Sequence, residues 1–289
     1  MGPVGKILVD LLTVLGSRGV DGTGIALYGR AAPGQLTARV FLGGQGAPAD
    51  QAQCVIARVR EVAGVVGAEV RADSLRLQVE YEGPVARLAD IIMGDEPGID
   101  VFSIGRSMEI IKDTGDAPRL DGKYGLSALE GGHGIGHTRL ATESRVDIRH
   151  SHPFWARPFL DIAVVHNGQI TNYHKLRRLY EMQGLHFDTE NDSEIIALYI
   201  AHKLNEGAAL EEALRASLDD LDGTFTYLVS TGQGLGYARD PFGTKPLVVT
   251  EADGFVALAS EEVALCQTFR QQRLDTWEPS AKEVRVWLR

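Results

Sequence analysis

The chain has 289 residues and a net charge of −10, with 29 Lys and Arg against 39 Asp and Glu. Hydrophobic residues make up 44% and charged residues 24%. That composition excludes a disordered chain and leaves enough apolar surface for a core without disulfides or metal. The acidic balance argues against non-specific binding to nucleic acid. No apolar run reaches the ~18–20 residues of a membrane span, and the start, broken by Asp10, makes a poor signal peptide. A cytoplasmic protein is expected, with neither nucleic acid nor membrane as partner.

In chain order, Ile7, Leu8, Leu11, Leu12 and Leu15 recur at helical spacing before Gly16, which predicts a helix and its stop. Residues 24–28 read as a short buried strand, 31–35 as a turn and 37–42 as a strand. Residues 49–62 predict a helix, 75–81 alternate as a half-buried strand, and 85–93 predict another helix. Residues 159–165 read as a strand ending at His166-Asn167-Gly168, a turn signal. Helices are expected over 173–183, from a cap at Asp192 or Ser193 to about Lys203, and over 210–221. Short strands follow at 224–230, 236–239, 246–250 and 255–259, and 275–288 reads as a closing strand. Cys54 and Cys266 sit in helical apolar patterns and read as buried thiols. Strands between groups of helices predict stacked sheets with helices outside.

Five clusters carry chemistry: Arg18-Gly19-Val20-Asp21-Gly22-Thr23-Gly24; Gly136-His137-Thr138-Arg139-Leu140-Ala141-Thr142 with Ser151-His152-Pro153-Phe154; His166-Asn167-Gly168; Asn191-Asp192-Ser193-Glu194; and Leu221-Asp222-Gly223 through Arg239-Asp240 to Pro246. Each has an ordinary reading as a turn, a cap or a surface ion pair. His150 and His152 lie two apart with no third ligand in view, so no metal site is expected. The glycines at 19–24 lack the Lys-Ser/Thr of a nucleotide loop. Together the groups make coherent chemistry. An Arg can hold an α-carboxylate through two hydrogen bonds and an Asp can hold an α-ammonium. An Asn side chain with the N–H of the next Gly can form an oxyanion hole. Such a set would bind an amino acid and stabilise a tetrahedral intermediate at its side-chain amide.

In this order the clusters resemble the class II glutamine amidotransferases. The resemblance implies an α+β fold, a four-layer αββα N-terminal-nucleophile (Ntn) sandwich. It covers residues 1–28 and 134–262. Residues 1–289 would form one amidotransferase domain with an α/β insertion at about 31–132. Within the family the chain is similar to the stand-alone amidotransferase component of glutamate-synthase-like enzymes, that of N-methylglutamate synthase above all. Carried over, Arg139 helped by Thr142 would bind the glutamine carboxylate. Asp192 would bind its ammonium, Asn167 and Gly168 would form the oxyanion hole, and Arg18 would pack beside the nucleophile. Asp240 to Pro246 would be a structural turn.

The family pattern starts Cys-Gly-Ile-x-Gly, with the Cys thiolate as nucleophile and its own α-amine as base. Here the chain starts Met1-Gly2-Pro3-Val4-Gly5. Aligning the glycines puts Met1 in the nucleophile position, and a thioether forms no thioester. Pro3 would also disturb a first strand. Three readings stay open: a glutamine- or glutamate-binding or assembly subunit without the cysteine, a protein whose start lies elsewhere, and self-cleavage at Gly22-Thr23. The last would destroy the Arg-Gly-x-Asp segment. An active chain would hydrolyse glutamine and pass ammonia to a partner subunit carrying flavin or iron–sulfur chemistry, since no cofactor motif occurs in this chain.

Overall fold

A computed structural model describes residues 1–140, 147–252 and 254–288, with the backbone alone at Arg18. The first half runs α1 (Val4–Val14), a 3-10 turn (Leu15–Arg18), β1 (Gly22–Tyr28), β2 (Gln35–Leu42), α2 (Pro48–Arg60), β3 (Gly64–Arg71), β4 (Ser74–Glu80), α3 (Val85–Met93), β5 (Ile99–Gly105), β6 (Met108–Asp113), α4 (Ala117–Tyr124) and β7 (His133–Arg139). The second half runs β8 (Phe154–Trp155), β9 (Ile162–Ile170), α5 (Tyr173–Met182), α6 (Asp192–Asn205), α7 (Leu210–Asp220), β10 (Gly223–Thr231), β11 (Gly234–Arg239), β12 (Val248–Ala252), β13 (Phe255–Ala259), α8 (Glu262–Thr268), β14 (Thr276–Trp277) and β15 (Val284–Leu288).

The elements form four layers in the order α, β, β, α. One β layer holds the sheets β6-β1-β7 and β13-β12-β14. The other is β15-β11-β10-β9-β8, and β7 packs across onto β9 and β10. Helix α1 covers β7 and β1 and meets α8. Its stripe of Leu8, Leu11 and Leu12 is buried, each side chain contributing about 1.5–3 kcal/mol. On the opposite outside, α6 covers β9, and α7 covers β11 and β15. Every residue of α6 from Ser193 to Ala201 is buried, because helices and sheet enclose it. No described helix is long and apolar enough to cross a membrane.

Residues 35–105 build a separate antiparallel sheet, β3-β4-β2-β5, with α2 and α3 packed on it. The expected insertion reached 132, but β6 pairs with β1 from Thr23↔Asp113 to Tyr28↔Met108 and so belongs to the main sheet. One apolar core joins the two parts, with Val40 and Leu77 from the insert beside Ala26, Ile110 and Val165.

Four expectations are corrected. The strand ending at His166-Asn167-Gly168 instead runs through it: β9 pairs with β10 from Gly223↔Ile170 to Thr231↔Ile162. The Asn-Gly signal is local, and a ladder nine residues long overrides it. Both cysteines are exposed. Their helices form as expected, but the stripe of α2 is Ala52, Val55, Ile56 and Val59, and Cys54 points away from it. The closing strand is two pieces, β14 and β15. Residues 4–14 are helical, so the segment after Pro3 is no strand. The fifth motif behaves as the turn expected of it. Asp240 is fully buried and accepts from the N–H groups of Phe225 at 2.8 Å, Phe242 at 2.6 Å and Gly243 at 3.1 Å.

Candidate active site

The glycine-rich first cluster is explained by what lies on β1. A Cβ on Gly22 would stand 2.2 Å from Ser151 Oγ, and one on Gly24 would stand 2.3 Å from His152 O. The 151–153 segment therefore presses directly on the strand. Lys112 fastens the same segment. Its ammonium donates to Ser151 O at 2.8 Å and Arg149 O at 3.2 Å, between the rings of Phe102 and Phe154. Burial pushes this amine down to about 8.

The Arg-Gly-x-Asp segment abuts Arg139. Asp21 N–H donates to Arg139 O at 3.0 Å, Thr138 Oγ1 donates to Gly19 O, and a Cβ on Gly19 would stand 2.4 Å from Leu140 N. All these neighbours are backbone and cannot swing aside. Gly19→Ala is therefore expected to cost about 1–3 kcal/mol, the usual range for overpacking. Chemical denaturation measures this, and an unchanged midpoint would refute the close approach. Arg139 is buried. Burial lowers its guanidinium, while Asp147 and Asp21 act in the other direction.

His137, two residues before Arg139 on β7, reaches Asn167 on β9. His137 Nε2 lies 2.9 Å from Asn167 Oδ1. Because an amide oxygen only accepts, Nε2 carries the proton. The contact turns Asn167 Nδ2 outward, where it donates to Ser260 Oγ at 3.3 Å, leaving its second N–H. Gly168 follows at φ +132°, and a Cβ there would stand 1.9 Å from Thr224 O. Only glycine fits. Asp192 opens α6, and its Oδ2 accepts the Ile170 N–H at 2.8 Å. Asn191, not Asp192 or Ser193, caps the helix, accepting from Ser193 N at 2.9 Å.

Behind these groups lies a buried network that sequence reasoning quoted in its motifs without giving it a role. Ser193 Oγ is 2.8 Å from His152 Nε2 and 3.0 Å from His166 Nδ1. The His152 ring lies tilted against that of His137, centroids 4.3 Å apart. A hydroxyl has one proton and two lone pairs, so it donates to at most one of the two imidazoles and accepts from the other or from both. Burial drives His152 well below the ordinary histidine range. It also drives His166 to about 4, with Asp192 opposing and Lys245 assisting. Both rings are neutral at pH 7.

His137, His166, Asn167 and Ser260 line one end of a groove of about 560 Å³, whose walls include Leu8, Leu12, Leu228 and Leu247. The groove lies between β7 and β13, each the outer strand of its sheet. Among the expected site residues, Asn167 lines this groove; Arg139 lies two residues on from His137 along β7, Gly168 and the Ile170–Asp192 contact continue β9 from Asn167, and the Arg18 backbone leads to Gly19 against Arg139 and Leu140. Thr142 lies outside the described residues. Met1 does not join them. Gly2 forms an isolated antiparallel bridge with Gly131, six residues along the chain from His137, or roughly 20 Å of extended strand. The assignment of Met1 to the nucleophile position is corrected accordingly: the helix that starts at Val4 leaves no strand to carry Met1 to Asn167. Among the described residues no group of three His, Cys, Asp or Glu is arranged for a metal.

Residues 137–267 match the signature described as a glutamine amidotransferase domain. Over 287 residues the chain is 37% identical to the glutamine amidotransferase-like protein GlxB of Rhizobium meliloti, covering 98% of this chain and 92% of the relative. This chain belongs to the class II glutamine amidotransferases. A second relative, a putative glutamine amidotransferase of Methanothermobacter thermautotrophicus, is 36% identical over 291 residues, covering 98% and 94%. Among solved structures, the B. subtilis glutamine phosphoribosylpyrophosphate amidotransferase complexed with ADP and GMP superposes with a TM-score of 0.61 at 20% identity. An allosteric regulatory enzyme of purine biosynthesis superposes with a TM-score of 0.64 at 20% identity. Both cover 98% of this amidotransferase, which spans 44% of each of those chains. They show the shared Ntn-type fold.

Proposed function

We propose that this amidotransferase is the glutamine-handling subunit of a glutamate-synthase-like complex, of the N-methylglutamate synthase kind. Arg139 with Thr142 binds the α-carboxylate of glutamine and Asp192 binds its ammonium. Asn167 Nδ2 and the Gly168 N–H stabilise the oxyanion, and released ammonia passes to a partner subunit. That partner carries the flavin or iron–sulfur chemistry; this chain needs no cofactor for hydrolysis. The observation that carries the reading is the contact of His137 with Asn167, which turns the Asn167 amide N–H groups toward Ser260 in the groove that these residues line.

Hydrolysis needs a thiolate at Asn167. The antiparallel bridge Gly2↔Gly131 sets a register. Each residue added before Met1 advances one position along β7, so the fifth added residue faces His137. Glutamate release from glutamine, measured on three forms of the chain, tests the reading. A Cys inserted between Met1 and Gly2 is expected to give no activity, because it stays at the Gly131 end. Cys-Gly-Ile-Ala-Gly placed before Met1, with the Cys as free N-terminus, is expected to release glutamate, and Asn167→Ala in that form to lose about 10²–10³-fold. A second reading, a non-catalytic binding or assembly subunit, is favoured by the exposed positions of Cys54 and Cys266 on α2 and α8. No glutamate release by any form, with glutamate still bound, would support it against the first.

A further inference from the structure

A second cavity, of about 380 Å³, lies at the other end of β1, walled by β2, β3, β4, β6 and α4. Five arginines line it: Arg30, Arg39, Arg71, Arg76 and Arg106. Three glutamates stand against them, Glu69, Glu109 and Glu130. Five minus three leaves +2 on the lining of a chain whose net charge is −10. A local reversal of this kind concentrates anions.

The centre of the cluster is Glu109. It accepts from Arg39 Nε at 2.7 Å, and from Arg76 Nε and Nη2 at 2.9 Å each. Burial alone would raise this carboxyl, yet the two guanidiniums outweigh it and hold Glu109 below the ordinary carboxylate range. Glu109 alone bonds to the two guanidiniums, and exposed Glu69 acts on both only through space. Arg39 is 9% exposed, but among the described residues its Nη1 and Nη2 donate to no protein group. Arg76 Nη1 donates to none either. These donors are not shut away from solvent, so an entering oxoanion would take the place of water on them. Arg30 and Arg106 stand exposed at the mouth, and Gln35, Thr37 and Gln78 add neutral polar groups to the wall.

We infer that this cavity binds a small polyvalent oxoanion of the phosphate class, borne on a soluble compound. Planar guanidinium forks match tetrahedral oxoanions, with two parallel hydrogen bonds from each fork. The volume exceeds that of a bare phosphate and falls in the range of small-molecule sites. Its concave shape favours a soluble ligand over a membrane surface. Glu109 holds the two forks apart and in place, and Arg39 supplies the buried end.

Calorimetric titration of the full chain with inorganic pyrophosphate, at fixed ionic strength, tests the site. One pyrophosphate is expected to bind per chain at sub-millimolar to millimolar affinity. Arg39→Met, which leaves Glu109 paired with Arg76, is expected to weaken binding about tenfold or more. Arg106→Ala changes only the mouth, cannot disturb the Glu109 cluster, and is expected to weaken binding about threefold. Absence of binding at millimolar pyrophosphate would overturn the inference. So would equal binding by wild type and both variants, or binding of phosphatidic acid vesicles without binding of pyrophosphate.

Discussion

Gly168→Ala is expected to destabilise the protein by about 3 kcal/mol or more. Two independent costs add. The backbone sits at φ +132°, and a non-glycine residue held in such a region costs of order 1–3 kcal/mol. The new Cβ would also stand 1.9 Å from Thr224 O and 2.8 Å from Phe225 Cα. Both are backbone atoms of β10, so no rotamer change relieves the contact, and overpacking adds about 1–3 kcal/mol. Gly184→Ala separates the two costs. Gly184 has φ +85°, but nothing lies within 4 Å of its Cβ position. It should lose only the strain, about 1 kcal/mol. Denaturant midpoints measure both. Equal shifts for the two variants would mean that β9 and β10 separate at Asn167-Gly168 at little cost, against the ladder described above. Because Gly168 follows the proposed oxyanion donor, the same variant should also abolish any hydrolytic activity.

Acidification from pH 6.5 to 4 is expected to remove roughly 3 kcal/mol of stability through His166 alone. Its pKa is lowered from 6.5 to about 4 by burial, against the pull of Asp192. Between those values the unfolded chain binds a proton that the native chain refuses, so stability rises with pH through the window. The contribution is fully present above pH 6.5 and is lost as pH falls through about 4. Lowering a pKa by one is worth about 1.4 kcal/mol. His152 is displaced in the same direction and steepens the loss. Denaturation of wild type and His166→Gln at pH 7.0 and 4.5 isolates the effect, since other carboxylates titrate equally in both. The wild type should lose roughly 2–2.5 kcal/mol more than the variant over that interval. Parallel losses would show that His166 is not buried and neutral.

The two predictions mark the boundary between local and long-range information. The leucine stripe of α1, the span of α3 and the run of α6 depend on periodicity within one segment, and the chain states them outright. The β strands that escaped notice lack such a pattern. β3 is an edge strand with little buried, so it needs no alternation. β7 is His-Gly-Ile-Gly-His-Thr-Arg, with glycines that admit α1 and β1 from either side. A Cβ on Gly134 would stand 2.7 Å from Ala26 O, and one on Gly136 would stand 2.9 Å from Leu12 Cδ1. That demand comes from packing partners over a hundred residues away.

For the site, residue types and their order sufficed to name Arg139, Asn167, Gly168 and Asp192 as one chemical set, because carboxylate, oxyanion and ammonium each require a particular complement. Composition likewise argued against a nucleic-acid or membrane-spanning protein. The fold alone decided the rest. It showed that Asn-Gly lies within a paired strand, that Asn167 is aimed by His137, and that three histidines and Ser193 share one buried network. It also put Met1 at the Gly131 end of β7 and gathered the arginines of β2, β3, β4 and two loops into one cavity. Hydrogen-bond partners and dielectric surroundings depend on atoms distant along the chain, so no local pattern encodes them. What a residue can do was legible in the sequence; which partner it meets, and in which charge state, was settled by packing.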